Sequence, residues 1–241
     1  MQNADIMGYV HSVESFGVLD GPGIRYILFL QGCALRCRYC HNPDTWNMKE
    51  GKLISSRNAF DDIAKYYTFI KNGGVTFSGG EPLLQPEFVL DLILRCKDKG
   101  LHTAIDTSGM VDLSRSSECI RNSDLLLLDI KDLNPLGAIK LTGFPIHNTL
   151  ATLDYCEVIG KPVWIRHVLL PGFTLKKEKI EELAEFLQAY KCIERVELLP
   201  FHKMGEYKWK QRGYDYSLYD VPAPSQEEVA KAREIMKSYG F

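Results

Sequence analysis

Three cysteines fall within eight residues, Cys33-Ala34-Leu35-Arg36-Cys37-Arg38-Tyr39-Cys40, in a C-x3-C-x2-C run. Thiolates this close on one tight loop can hold three irons of a cuboidal iron–sulfur cluster, which leaves the fourth iron open to a substrate. The same residues admit other readings. A structural zinc site would take His41 as its fourth ligand, although such sites usually come as two separated ligand pairs and no second pair is present. Cys37 to His41 also reads C-x-x-C-H, the attachment pattern of a c-type haem, which belongs to exported proteins and leaves Cys33 without a role. Chance clustering is a further alternative.

Other segments carry residue types that could bind or react. In Ser78-Gly79-Gly80-Glu81 the paired glycines allow positive φ and close backbone approach to a ligand. An ordinary strand-to-loop turn would use them in the same way. No G-K-[ST] follows, so this is not a phosphate loop, and Thr76 stands where a nucleophile elbow requires glycine. Asp129 and Lys131 flank the apolar Ile130 and so share one face of an extended segment. A buried carboxylate there needs Lys131, a cation or a substrate as partner. Arg166 sits among apolar residues, where a guanidinium needs an anion, and a cofactor carboxylate would serve. The segment 203–219 mixes lysines and arginines with aromatics. Its basic character is too weak for a nucleic-acid footprint and fits a loop that meets a protein partner.

The elements that must position these residues follow from periodicity. Short β-branched runs predict strands near 24–30, 75–77, 102–105, 125–129, 163–168 and 195–199, alternating with amphipathic stretches. Val89, Leu92, Ile93 and Cys96 share one helical face, as do Ile180, Leu183, Ala184 and Leu187. Ser225-Gln226-Glu227-Glu228 reads as a capping box that opens a last helix. Every candidate residue lies at or just after the C-terminal end of a predicted strand, except Arg166 within one, and barrel active sites are built at that face. A doubly wound sheet is the competing fold, but Gly21-Pro22-Gly23 precedes a strand and no G-x-G-x-x-G occurs. The expectation is an α/β fold, a partial (β/α)6 TIM-like barrel open on one side, in a single domain over 1–241.

Composition excludes several classes. The formal net charge of -2 creates no field for nucleic acid or an anionic membrane. Residues 1–7 are polar and carry no apolar core of a secretory leader. The longest aliphatic run, 125–128, is far short of the ~20 residues that span a bilayer. These features predict a cytoplasmic protein. Seven cysteines, an odd number, argue against a disulfide framework in such a chain. Cys96 lies on an apolar helical stripe, and Cys119, Cys156 and Cys192 carry no signature.

Taken in order, several motifs resemble the glycyl-radical activating enzymes, a subgroup of the radical S-adenosylmethionine superfamily. They are Asp20-Gly21-Pro22-Gly23-Ile24-Arg25, Phe29-Leu30-Gln31-Gly32-Cys33, Cys37, Cys40-His41-Asn42, Asp44-Thr45-Trp46, Ser78-Gly79-Gly80-Glu81, Asp106-Thr107, Leu128-Asp129-Ile130-Lys131, Val163-Trp164-Ile165-Arg166, Leu198-Leu199-Pro200 and Lys208-Trp209. The similarity runs from about His11 to Tyr239. It implies one 4Fe-4S cluster on Cys33, Cys37 and Cys40, with S-adenosylmethionine on the open iron. The implied cofactor contacts are Tyr39, Cys40, His41, Gly79, Gly80, Glu81, Asp129, Ile130, Lys131, Arg166 and His202. Asp106, Thr107 and Asp129 would hold a monovalent cation, and Asp20 would grip the glycine loop of a protein substrate. The implied partners are pyruvate formate-lyase, or else another glycyl-radical enzyme, and flavodoxin or ferredoxin as electron donor. No nucleic acid or membrane partner is expected.

Overall fold

The computed structural model describes residues 5–241, so the first four residues of the polar segment 1–7 lie outside the described residues. The chain divides into two compact units. One takes in the described part of Met1–Ala34 with Thr45–Leu127, and the other Leu35–Asp44 with Leu128–Phe241.

The first unit holds β1 (Met7–Gly17), β2 (Arg25–Leu30), β3 (Lys52–Ser55), β4 (Gly74–Gly79) and β5 (Thr103–Thr107). Its helices are α1 (Ser56–Lys65), α2 (Tyr67–Ile70), α3 (Pro86–Asp98) and α4 (Leu113–Asn122). Strand β6 (Leu125–Asp129) begins in this unit and ends in the second. The second unit adds α5 (Pro135–Thr142), α6 (His147–Ile159), β7 (Val163–Leu169), α7 (Lys177–Leu187), β8 (Ile193–Pro200), α8 (Glu206–Gln211) and α9 (Gln226–Ser238).

Among the described residues the strands follow the order β3-β1-β2-β4-β5-β6-β7-β8. Strands β2, β4 and β5 run parallel, as do β7 and β8, whereas β1 pairs antiparallel with both β2 and β3. The six strands expected from the sequence are β2, β4, β5, β6, β7 and β8. β1 and β3 are additions to that expectation. The expected helical faces are buried as well: Val89, Leu92, Ile93 and Cys96 on α3, and Ile180, Leu183, Ala184 and Leu187 on α7. Ser225 and Glu228 form both hydrogen bonds of the capping box at α9. Among the described residues no helix is long and apolar enough to cross a membrane.

A buried histidine in the second unit makes stability depend on pH. His167 on β7 is 4% exposed, and its Nδ1 lies 2.7 Å from the Ile130 carbonyl. Nδ1–H therefore donates, and the buried Nε2 has no hydrogen-bond partner among the described residues. A second proton would put a charge and an unpaired N–H into the core, and burial lowers the pKa from 6.5 to about 4. Above pH 6.5 the ring is neutral folded or unfolded and pH has no effect through this group. Between 6.5 and about 4 the unfolded chain takes up a proton that the fold refuses, so stability falls with falling pH, on the order of 3 kcal/mol in all. His167→Asn keeps a donor for Ile130 and removes the titration. Urea unfolding at pH 7.5 and pH 5 should show a smaller acid loss in the variant; equal losses would contradict this account.

Candidate active site

Cys37 and Cys40 lie in the second unit on a tight turn closed by Cys40 N–H donating to the Cys37 carbonyl at 3.0 Å. The turn is tied to the end of α5, where the Thr142 and Leu141 carbonyls accept from the Arg36 and Arg38 N–H groups at 2.7 and 2.9 Å. Trp209 of α8 donates its indole N–H to the Cys40 carbonyl at 2.8 Å. Lys208 beside it reaches Asn42 and Asp44, at 2.8 and 3.1 Å. The loop is thus held by backbone and side-chain bonds that leave the thiols uncommitted to disulfides.

The donor chemistry of this turn fits an iron–sulfur cluster. Burial pushes the Cys37 thiol up to about 12, although the nearby Lys131 pulls it down. A thiol so placed gives up its proton to a metal and hardly at all to water. Burial opposes the charge on Lys131, but the adjacent Asp129 carboxylate outweighs it and holds the ammonium above its ordinary pKa. That ammonium sits 2.6 Å from Asp129 and 5.6 Å from the centre of the Tyr39 ring. Tyr39 is 7% exposed and its hydroxyl has no hydrogen-bond partner among the described residues. An orphaned donor beside two thiols is what an acceptor such as a thiolate or sulfide would satisfy.

Cys33 follows β2 in the first unit, where its N–H donates to the Trp46 carbonyl at 3.2 Å. The Gly79-Gly80-Glu81 segment lies against the same stretch. In the β2–β4 register Gly79 faces Leu30, and its φ is +109°. A Cβ on Gly79 would run into the Leu30 backbone, and one on Gly80 into the Gly32 carbonyl and, at 3.3 Å, Cys33 Cβ. Glu81 N–H donates to the Gly32 carbonyl at 2.8 Å. Glycine is required here for close packing of two loops, which the sequence motif did not reveal.

The Glu81 side chain is 1% exposed and fully engaged. It accepts from Thr107 Oγ1 at 2.6 Å, Ser108 Oγ at 2.6 Å, Ser108 N–H at 3.0 Å and Leu83 N–H at 3.1 Å. Burial raises its pKa while these donors lower it, and burial prevails. Glu81 therefore joins the ends of β4 and β5. Asp106, half-buried at the end of β5, accepts from Ser78 at 2.7 Å.

The loop that carries Asp20 is held by Arg25, a residue that the sequence motif includes but to which sequence reading gave no role. Arg25 is fully buried and donates to Thr76 Oγ1 at 2.6 Å and to the Gly73, Val75 and Pro22 carbonyls at 2.5, 2.6 and 3.0 Å. Desolvation lowers its pKa to about 10, so it stays charged. Thr76 in turn donates to the Asp20 carbonyl at 2.6 Å. Asp20 itself is half-buried. An arginine inside a run of strand residues was the available signal.

The remaining candidates lie in the second unit. Asp129 and Ile130 mark the end of β6, and the Ile130 N–H donates to the Arg166 carbonyl at 3.0 Å. Arg166 is 7% exposed on β7 and already has an anion: its Nε donates to Glu197 of β8 at 3.1 Å. The buried guanidinium thus does not depend on a cofactor carboxylate for charge balance. His41 and His202 are both exposed and stack on each other, with ring centroids 4.2 Å apart and planes 28° apart. The His202 carbonyl lies 3.1 Å from His41 Nε2, and burial keeps the His41 pKa below its ordinary value.

A fold of this kind with a C-x3-C-x2-C run after its second strand is that of the radical S-adenosylmethionine class. Residues 19–132 match a family described as a 4Fe-4S single cluster domain. The pyruvate formate-lyase-activating enzyme of Clostridium pasteurianum is 44% identical over 234 residues, 96% of this chain and 98% of that protein. Its counterpart in Listeria monocytogenes is 43% identical, covering 98% of this chain and 99% of the relative. A solved domain of the Bacteroides vulgatus pyruvate-formate lyase-activating enzyme is 31% identical, with a TM-score of 0.59 over 70% of this chain and 96% of that one. SuiB of Streptococcus suis bound to S-adenosylmethionine, 19% identical, aligns with a TM-score of 0.66 over 86% of this chain and 45% of its own, a likeness of fold alone. The chain belongs to the pyruvate formate-lyase-activating enzyme family. The α/β partial-barrel fold expected from the sequence is that of the class.

Proposed function

We propose that this protein activates pyruvate formate-lyase by installing a glycyl radical in it. The observation that carries this reading is identity at 44% over nearly the whole of both chains. Its cofactors are a 4Fe-4S cluster and S-adenosylmethionine. When bound, they supply one-electron cleavage of the sulfonium to methionine and a 5′-deoxyadenosyl radical, which takes hydrogen from a glycine Cα of the partner.

The chain's own residues have distinct tasks in this reading. Cys33, Cys37 and Cys40 hold the cluster. Gly79 and Gly80 offer backbone to the methionyl ammonium because they carry no side chain there, and Glu81 keeps that segment in place from below. Lys131, charged and paired with Asp129, presents a cation to the carboxylate of the cofactor, and Arg166 adds a second. His41 and His202 separate to accept the adenine, with Tyr39 and Ile130 packing behind. Asp106, Thr107 and Asp129 hold the monovalent cation. Asp20, on a loop made rigid by Arg25, grips the glycine loop of the partner. A single functional domain spans 1–241, in the cytoplasm, and flavodoxin or ferredoxin supplies the electron.

Calorimetric titration of S-adenosylmethionine into cluster-loaded protein tests these contacts. Arg166→Ala should weaken binding roughly 10- to 100-fold, the loss of a charge-assisted contact, with Asp129→Ala next and His202→Ala least. Arg166→Ala also takes from Glu197 its hydrogen-bonded partner and leaves it only Arg195 at 3.6 Å, so its melting temperature should drop, and the further change Glu197→Gln should restore part of that loss without restoring affinity. Iron content should stay at the wild-type level throughout. Wild-type affinity in all three single variants would contradict the site.

A further inference from the structure

Helix α5 turns to solvent a face that a surface helix normally makes polar. Leu136 is 77% exposed and Ile139 44%, one turn apart on one side, and the exposed Lys140 follows. The helix ends at the cysteine turn, and there two more cations gather. Arg36 is exposed, and the Arg38 guanidinium lies 4.9 Å from the centre of the Phe173 ring. Lys140 Nζ lies over the same ring at 5.5 Å. Two cations sharing one aromatic repel each other, in a chain whose formal net charge is -2. An anionic surface laid over them would relieve that repulsion.

The patch is also wired to a cluster cysteine. The Thr142 carbonyl accepts from Arg36 N–H and the Leu141 carbonyl from Arg38 N–H, so both neighbours of Cys37 are hydrogen-bonded to the last turn of α5. Electron tunnelling falls steeply with distance and favours bonded routes over gaps. A donor resting on α5 would have such a route to Cys37.

We infer that this face of α5 with Arg36 and Arg38 is the docking surface for the electron donor, a small acidic one-electron carrier protein. Its carboxylates meet Arg36, Arg38 and Lys140 around an apolar contact on Leu136 and Ile139. The carrier is oxidised by one electron and the cluster reduced by one, with no bond made or broken. A small patch suits such a partner, since transient redox encounters bury less than about 1,200 Å². The inference rests on the proposed function, which requires an external donor.

Stopped-flow bleaching of the cluster-loaded enzyme measures the step directly, with reduced flavodoxin, a reduced 4Fe-4S ferredoxin and photoreduced deazaflavin as separate reductants. Leu136→Asp/Lys140→Glu should slow reduction by the protein carriers roughly tenfold or more and flatten its ionic-strength dependence. Lys140→Arg should stay at the wild-type rate, and deazaflavin should reduce all forms equally. Equal carrier rates in wild type and double variant would overturn the docking surface while leaving the function intact. Failure of either carrier to reduce the wild type would instead strike at the donor reading itself. A double variant that bleaches normally with the carriers but no longer activates pyruvate formate-lyase under deazaflavin reduction would give this face to the substrate protein and overturn the inference.

Discussion

Cys33→Ser, Cys37→Ser and Cys40→Ser should each abolish glycyl-radical formation and leave substoichiometric iron after anaerobic reconstitution. Serine in place of any of the other four cysteines should leave one cluster bound. The contrast follows from placement. Cys96, Cys119 and Cys156 are at most 1% exposed and Cys192 9%, and burial pushes each thiol up to about 12. Cys96 belongs to the buried stripe of α3, and Cys119 donates its S–H to the Pro86 carbonyl at 3.1 Å. These are small core residues, whose replacement by serine should lower stability by about 1–3 kcal/mol without touching iron. Iron and sulfide analysis of the seven variants separates the two groups. Cluster loss in any of the latter four would refute the three-thiolate assignment.

Gly79→Ala should be the most damaging single-methyl change in the Ser78-Gly79-Gly80-Glu81 segment. The new Cβ meets backbone, which cannot rotate away, and the residue must also hold φ at +109°. A strain of about 1–3 kcal/mol from the dihedral alone adds to the displacement of β4 from β2. Because Gly80 and Glu81 follow directly, the displacement reaches Gly32 and Cys33 through the Glu81 N–H bond. A melting temperature several degrees lower and at least tenfold weaker S-adenosylmethionine binding are expected. Gly100→Ala is the control: its φ is +72° but nothing lies within 4 Å of an added Cβ, so it should cost stability alone.

What could be read in the sequence was whatever a local pattern encodes. The six central strands, the stripes of α3 and α7 and the capping box of α9 each come from residues close in sequence. Strand β3 has four residues, too few for a period to show, and β1, between β3 and β2, is largely exposed from Ser12 to Phe16, so no apolar alternation marks it. Helix α6 was hidden because its buried stripe includes Thr149 and Thr152 beside Leu153 and Cys156, so the apolar period is broken. The site shows the same division. Its motif residues lie at strand ends as expected, but the partner of Arg166 is Glu197, 31 residues away and chosen by the β7–β8 register. The bonds of Arg25 and the four of Glu81 likewise depend on tertiary placement. Sequence patterns marked the candidate residues; their hydrogen-bond partners required the fold.

Electron paramagnetic resonance tests the central claim most directly. Cluster-loaded protein, S-adenosylmethionine, a low-potential reductant and pyruvate formate-lyase are combined without air, and 5′-deoxyadenosine is quantified in the same sample. A glycyl-radical doublet on pyruvate formate-lyase should appear with 5′-deoxyadenosine in equal amount, and Asp20→Ala should lower both with S-adenosylmethionine affinity unchanged. Reductive formation of 5′-deoxyadenosine with no doublet, while another glycyl-radical enzyme acquires one, would contradict the account of what this protein activates.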